Sequence, residues 1–175
     1  MAFVVQTPDA PLTTANAYIS VAAFKAYHDD RGNDYSSSSD SDIEESIVRV
    51  TDYIDSRWTF AGARDDADQS TECPRSGVYD PNTGLTVDPY PVELEEACAE
   101  YAMSALAASL YPSPNVDTTG LQVKMTKKKV AVLEKETEYF QSGGSSSAKR
   151  AWPVADGKMK KTRLLASTRR TLGRG

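Results

Sequence analysis

The segment DIEESIVRVTDYIDSRW, residues 42–58, carries the strongest helix signal in the chain and decides the fold class. Its apolar residues recur at intervals of three and four positions, the spacing of one face of an α-helix. They are Ile43, Ile47, Val50, Ile54 and Trp58. Acidic residues open the segment and Arg57 lies near its end, so both ends suit the helix dipole. The segment therefore predicts an amphipathic helix with one face in a core.

Two further helices are predicted around this one. Residues 21–27, VAAFKAY, form a first short apolar stripe. Residues 92–111 form a longer, alanine-rich segment that starts after Pro91 and stops at Pro112, as prolines favour. Its predicted core residues are Leu94, Ala97, Cys98, Tyr101, Ala102, Ala105, Leu106 and Leu110. We expect a mainly α fold, a small helical bundle in which residues 42–58 pack on this helix.

The remaining chain predicts a loop and a hairpin. Residues 61–90 are rich in glycine, proline and aspartate, which predicts a long ordered loop with a short turn at Thr83-Gly84. Residues 121–125 and 130–134 alternate apolar and polar positions around a run of lysines. This alternation predicts a short β-hairpin near 121–134 with a lysine-rich turn.

Composition and charge divide the chain. Residues 142–148, SGGSSSA, have the composition of a flexible linker, so we predict a helical domain over 1–141 and an extended basic arm over 149–175. Residues 1–119 contain 6 Lys and Arg against 21 Asp and Glu, a net charge of −15. Residues 120–175 contain 14 against 4, a net charge of +10. A basic end of this kind is typical of an arm for nucleic acid or for an acidic protein surface.

Apolar residues lie among the cations of the basic arm. A merely solubilising, disordered tail would not need them, although many charge runs behave in that way. We therefore predict that the arm is mobile in the free protein and folds when it docks on another protein or on a second copy. The candidate partner-binding residues are Lys149, Arg150, Trp152, Lys158, Lys160, Lys161, Arg163, Leu164, Leu165, Arg169, Arg170 and Arg174.

The sequence contains no recognisable catalytic, cofactor-binding or metal-binding motif. Glycine-rich phosphate loops, the HExxH zinc motif and the GxSxG nucleophile turn are all absent. His28 is the one histidine, and we expect it to have a capping or solvated role because a general base also needs a nucleophile. Two cysteines, Cys73 and Cys98, exclude a disulfide framework; a single Cys–Cys pair is the alternative, and unpaired thiols are the expectation. We predict a protein without enzymatic activity, cofactor or metal.

Membrane and secretion signals are also missing from the sequence. The most apolar stretch, residues 97–110, is interrupted by Glu100 and is shorter than the roughly 20 residues of a membrane span. The start of the chain has no basic region followed by an apolar one, as a signal peptide would. We expect the protein to be made in the cytosol and to stay there unless a partner carries it elsewhere.

A series of short motifs carries a family resemblance over residues 1 to about 135. The motifs are ANAYIS at 15–20, RG at 31–32, AGAR at 61–64, Gln69 followed by CPRSGVYD at 73–80, and Pro91 before the alanine-rich helix. The series resembles a family of tailed-phage head–tail connector proteins whose members are often labelled DnaT-like single-stranded-DNA-binding proteins. The chain departs from the family at Cys73, where a Trp usually precedes Pro-Arg, and after residue 140, where the basic tail has no counterpart.

Three residues of these motifs are assigned structural roles: Arg64, Pro74 and Arg75. Arg75 follows Pro74 in a loop that is otherwise held only by turns. A fork with five donors satisfies several carbonyl groups at once. We expect Arg75 to tie the loop to a helix end or to a carboxylate.

The resemblance implies an adaptor that assembles as a dodecameric ring under the portal and joins the capsid to the tail. Its implied partners are the portal protein, tail or nozzle proteins and duplex DNA passing through the channel. Its implied place is the head–tail interface of the virion, after assembly in the host cytoplasm. An acidic body suits such a channel, because cations would bind the phosphates and stall the DNA.

The family label supplies the alternative function, a single-stranded nucleic-acid-binding module that uses the basic C-terminal arm. Such modules combine a basic groove with aromatic side chains on which bases stack. The basic end contains Tyr139, Phe140 and Trp152 as candidate stacking residues. The aromatic residues of the acidic body lie where a phosphate backbone would be repelled.

Overall fold

The computed structural model describes residues 2–80, 82–111, 123–129, 134–139 and 152–166. Two compact units divide the chain, one made of Met1–Leu110 with Ala151–Gly175 and the other of Tyr111–Arg150. The elements are α1 (Val21–Asp29), α2 (Asp40–Arg57), β1 (Ala63–Arg64), β2 (Arg75–Ser76), α3 (Val92–Ala107), β3 (Val123–Lys129), β4 (Glu134–Tyr139) and α4 (Pro153–Lys161). The predicted mainly α class is confirmed.

Helix α2 follows the predicted amphipathic segment. It begins at Asp40 because Ser39 and Asp42 form a reciprocal capping box, in which each side chain accepts the backbone N–H of the other residue. The predicted apolar face is fully buried at Ile43, Ile47, Val50 and Ile54. Trp58 lies just beyond the last helical residue and packs, half-buried, against the core.

Helix α3 packs against both α2 and α4 and supplies much of the remaining core. Its buried residues are Leu94, Ala97, Cys98, Ala99, Tyr101, Ala102 and Ala105. The alanines allow the neighbouring helices to approach closely. The helix ends at Ala107, earlier than predicted, because the backbone becomes extended at Ala108. Leu110 therefore reaches the core from outside the helix, and Leu106 is only partly buried instead of lying in the core.

Replacing Ile47 with alanine is expected to lower the free energy of unfolding by about 2–5 kcal/mol, since its side chain is fully buried. Leu106→Ala is the matched comparison and should lose only about 1 kcal/mol, because that side chain already contacts water. Urea denaturation of the two variants measures the difference. Equal losses would contradict the position of Leu106 at the margin of the core.

The segment between α2 and α3 is an ordered loop held by short antiparallel pairings. Strand β1 pairs with β2, and a second pairing joins Tyr79 to Thr86 around the turn that the sequence predicts. The Asp80 carboxylate closes this turn by accepting hydrogen bonds from the Asn82 N–H and the Thr83 hydroxyl, both at 3.0 Å. These bonds give the loop a fixed conformation without a helix or a long strand.

The second unit contains the predicted hairpin, with a different register. Residues 126–129, TKKK, were expected to form the turn, but they belong to strand β3. The register places Lys127 opposite Glu136 and Lys129 opposite Glu134. Opposite charges at facing positions stabilise paired strands. The alternation of apolar residues, from which the hairpin was predicted, contains no information about these charge pairs.

The C-terminal segment departs most from the expectation of an extended arm that is mobile in the free protein. Residues 152–166 belong to the first unit, and α4 packs against α3. Met159 and Leu164 are fully buried there. Burial of these two side chains offsets part of the entropy lost when the segment is fixed. The predicted linker at 142–148 and the last residues, 167–175, lie outside the described residues.

Candidate functional site

The clasp, which we define as residues 152–166, is anchored to the helices by one carboxylate. Asp156 accepts a hydrogen bond from Arg57 Nη2 on α2 at 2.8 Å, another from the Tyr101 hydroxyl on α3, and a third from the Trp152 backbone N–H at 3.2 Å. The side chains of Arg57 and Asp156 are only 11% and 13% exposed, so this is a largely buried ion pair. Burial, together with the hydrogen bond to Asp156, raises the pKa of Tyr101, which keeps its hydroxyl a donor.

The end of the clasp pairs with the chain that follows α2. Leu165 forms an antiparallel bridge with Phe60, and the Ala61 N–H donates to the Leu164 carbonyl at 2.7 Å. Backbone bonds of this kind fix direction and register more strictly than side-chain packing does. The clasp is therefore held by α2, by α3 and by the loop between them.

Two ion pairs connect the clasp to the rest of the first unit. Lys158 Nζ lies 2.5 Å from a carboxylate oxygen of Glu96 on α3. Arg163, just after α4, binds Asp80 in the turn of the ordered loop. Partly exposed pairs contribute little stability individually. Here these two pairs orient the clasp, because one holds it to α3 and the other holds it to the turn of the ordered loop.

The structure separates the predicted partner-binding residues into three groups. The residues in contact with the rest of the first unit are Trp152, Lys158, Arg163, Leu164 and Leu165. Lys160 and Lys161 are exposed and make no ion pair with any described residue. The residues outside the described ranges are Lys149, Arg150, Arg169, Arg170 and Arg174. Sequence reasoning missed Asp156, although an isolated acid among nine cations was a signal for it.

The three predicted structural residues lie in one part of the loop. Arg75 donates to the carbonyls of residues 61 and 62 at 2.7 and 2.8 Å and forms an ion pair with Glu72 at 2.6 Å. Arg64 binds the other oxygen of the same carboxylate. The carbonyl of Pro74, which follows a cis peptide bond, accepts a hydrogen bond from a glutamine side chain of the loop. Arg75 thus ties together the two ends of the β1–β2 pairing.

Replacing Arg75 with alanine is expected to lower the free energy of unfolding by about 2–3 kcal/mol, because two backbone carbonyls and the Glu72 carboxylate lose a charged donor. Arg75→Lys should lose less, since one ammonium group replaces part of the fork. Chemical denaturation gives both values. A stable Arg75→Ala protein that had lost nucleic-acid binding would contradict this structural role.

A second carboxylate is partly buried beneath the same loop. Asp55 on α2 accepts hydrogen bonds from the Tyr18 hydroxyl and, at 3.1 Å, from the Glu72 N–H. The Tyr18 oxygen in turn accepts the Cys73 N–H at 3.3 Å. Burial raises the pKa of Asp55 to about 6, against the effect of these donors. The cluster joins the loop, α2 and the N-terminal segment.

The Asp55 carboxyl should make stability depend on pH between about 4 and 6. In that window the folded protein holds the proton more tightly than the unfolded chain does. Its contribution to the free energy of unfolding is therefore full below the unfolded pKa and falls as the pH rises through the folded pKa. Asp55→Asn should remove this part of the pH dependence. Urea denaturation at both ends of the window is the measurement, and identical profiles for wild type and variant would contradict it.

His28, Cys73 and Cys98 lie inside the first unit and are buried. His28 is buried, contrary to the expected capping or solvated role, because its ring bonds to the Ala99 carbonyl at 3.1 Å and to the Asn33 amide at 2.9 Å. Cys73 and Cys98 are buried free thiols whose pKa is raised by burial. In the part of the chain that the structure describes, no cluster of His, Cys, Asp or Glu could hold a metal ion. None of the described helices is both long and apolar enough to cross a bilayer.

Comparison with known families bears on the whole chain. A family model described as "Putative DnaT-like ssDNA binding protein" matches residues 1–171. The chain belongs to this DnaT-like family. The match includes the clasp, so the C-terminal region that seemed to have no counterpart after residue 140 lies within the family's extent. Neither a curated protein nor a solved structure shows significant similarity to the chain.

The negative charge of this DnaT-like protein is concentrated in its first unit. Residues 2–80, 82–111 and 152–166 contain 10 Lys and Arg against 21 Asp and Glu, a net charge of −11. Seven of these ten cations form ion pairs with acids of the same unit. The cations without such a pair among the described residues are Arg49, Lys160 and Lys161. The described part of this unit therefore offers a phosphate backbone few uncommitted cations.

Proposed function

We propose that this DnaT-like protein is a head–tail connector, a structural virion protein that forms a ring under the portal and joins the capsid to the tail. The proposal is supported by the motif series between residues 15 and 91. The observation that carries it is the charge of the first unit, which is −11 over the described residues with seven of ten cations already paired. The proposed role is non-catalytic, and the proposed place is the head–tail interface.

An acidic wall has a direct physical use in a channel for DNA. Lys and Arg bind phosphates and release counterions, so a basic wall would hold the duplex in place. Carboxylates repel the duplex over about 8 Å at physiological ionic strength, which keeps it centred and free to slide. In the connector that we propose, the acidic unit lines or borders the channel, and the neutralised cations serve to hold the protein together.

Single-stranded DNA binding is the second candidate, and the family's description favours it. The cations for it lie outside the described residues of the first unit. Strand β3 contains four lysines, Lys124 and Lys127 to Lys129, and the chain from residue 167 onward contains three arginines. Two of those lysines face glutamates across the hairpin, at Lys127 and Lys129, which reduces the charge that DNA would meet.

Binding to two probes separates the candidates. The purified chain is titrated with labelled oligothymidine at low and at physiological salt, and it is sedimented with capsid particles that contain portal protein but lack connector. The connector proposal predicts co-sedimentation with the particles and little retention of the oligonucleotide at physiological salt. Tight, saturable oligonucleotide binding without binding to the particles would overturn it in favour of the second candidate.

A further inference from the structure

Nothing local in the sequence ties the clasp to the body, by which we mean the described residues 2–80 and 82–111. The forty residues of Tyr111–Arg150 separate the two parts of this unit along the chain. Every side-chain bond that anchors the clasp is long-range: Arg57 and Asp156 are 99 positions apart, and Glu96 and Lys158 are 62 positions apart. The intervening chain includes the glycine- and serine-rich residues 142–148, a composition typical of flexible connections.

The clasp also has the chemistry of a partner that binds a surface. It carries 4 cations and 1 acid, a net charge of +3, whereas the body carries 6 cations and 20 acids, a net charge of −14. Met159 and Leu164 are fully buried against the body, as anchor residues are at protein interfaces. The Asp156–Arg57 pair and the Leu165–Phe60 bridge fix its orientation and register.

We propose that in the assembled protein the clasp of one copy docks on the body of the adjacent copy through the same contacts that it makes within a single chain. The partner is therefore a second copy of this protein, and its docking surface is formed by α2, α3 and the chain at residues 59–61. Exchange of an identical element keeps every contact, so a dimer or ring forms at little cost in free energy. This inference rests on the proposed function, because it describes how the subunits of that ring are joined.

Assembly supplies the reason for exchange. Bodies with a net charge of −14 repel one another, and a ring of them needs links that cross the interface. A clasp of charge +3 on each neighbouring body reduces that repulsion and joins the copies in sequence. Once adjacent copies are held side by side, the neighbour's docking surface has an effective concentration comparable with that of the clasp's own body.

Complementary charge reversals across the buried ion pair test the exchange. In Arg57→Asp an acidic residue 57 faces the native Asp156, and in Asp156→Arg the native Arg57 faces an arginine, so each variant is mismatched within its own chain. When the two full-length variants are mixed, a docking between unlike copies is matched in both directions. The double variant Arg57→Asp/Asp156→Arg is matched within every chain and shows whether the reversed pair is tolerated.

The expected result is that each single variant assembles poorly and that the mixture assembles at least about tenfold better, the effect of restoring one interfacial charge pair. Native mass spectrometry with one variant isotopically labelled should find both variants in the same assemblies. The partly exposed pair of Glu96 and Lys158 gives a second, more tolerant test with Glu96→Lys and Lys158→Glu. If the double variant Arg57→Asp/Asp156→Arg does not fold, the Glu96 and Lys158 variants alone decide whether the clasp exchanges between copies.

The outcomes distinguish this inference from the proposed function. A double variant that assembles like the wild type, with a mixture no better than either single variant, would overturn exchange and leave the connector proposal standing. A wild-type chain that stays monomeric alone and with portal-containing particles would overturn the connector proposal itself, and with it the exchange.

Discussion

Replacing Asp156 with alanine is expected to lower the free energy of unfolding by about 3–5 kcal/mol, the usual result of removing one partner from a buried ion pair. Arg57 loses its carboxylate partner at 2.8 Å, and the buried Tyr101 hydroxyl loses its acceptor. The first turn of α4 also loses the bond to the Trp152 N–H. Urea denaturation followed by circular dichroism measures the loss.

Two further variants sharpen this prediction. Lys160→Ala, in the same helix but exposed, should change the free energy of unfolding by no more than about 0.5 kcal/mol. Arg57→Leu/Asp156→Leu should recover much of the loss, because it removes both buried charges and not one. A loss below about 1 kcal/mol for Asp156→Ala would mean that the clasp is not anchored through this carboxylate.

Gly62→Ala is expected to lower the free energy of unfolding by about 3–5 kcal/mol through strain and overlap. The residue has φ of +71°, a conformation that residues with a Cβ rarely adopt. Its Cβ would lie 2.2 Å from the Ser76 carbonyl oxygen and 2.7 Å from Val78 Cγ2. The β1–β2 pairing would have to open to make room, which would also disturb the carbonyls that Arg75 binds.

Gly32→Ala is the matched control, with φ of +64° and no heavy atom within 4 Å of the added Cβ. It has the same conformational cost without the overlap, so it should lose only about 1–2 kcal/mol. The difference between the two variants isolates the close approach of the strands. Equal losses in thermal or urea denaturation would contradict that close approach.

The bundle could be predicted from the sequence because its signals are local. The spacing of Ile43, Ile47 and Ile54 determines which face of α2 is buried, and the structure buries all three completely. Ser39 and Asp42 mark the start of the helix by short-range hydrogen bonds. The end of α3 was harder to predict, because Leu110 continues the apolar pattern while lying in extended chain.

The clasp could not be predicted in the same way, because its contacts are long-range. Met159 and Leu164 resemble isolated apolar residues in a basic tail, and their burial depends on a surface formed by α2 and α3. The charge count indicated attraction between the tail and an acidic body, but not which body or which residues. The structural role of Asp156 could not be predicted, because its partner Arg57 is 99 positions earlier in the sequence.

The acidic excess of the first unit and the pairing of its cations both support the proposed connector. The sequence alone gives the acidic excess, and the structure adds that seven of the ten cations in the described part of the first unit are engaged by acids of that unit. A cation already paired with a carboxylate has less free energy to gain from a phosphate, because binding requires it to give up its partner. For this reason we prefer the connector, through which DNA would slide, to a module that binds DNA.

The mass of the purified full-length chain, measured alone and after recovery from portal-containing particles, tests the central claim most directly. Native mass spectrometry or mass photometry resolves the number of copies in each state. The connector proposal predicts a small species alone and one discrete ring per portal on the particles, in a single stoichiometry. A chain that never associates with the particles, or that binds them without a fixed number of copies while holding single-stranded DNA at physiological salt, would contradict it.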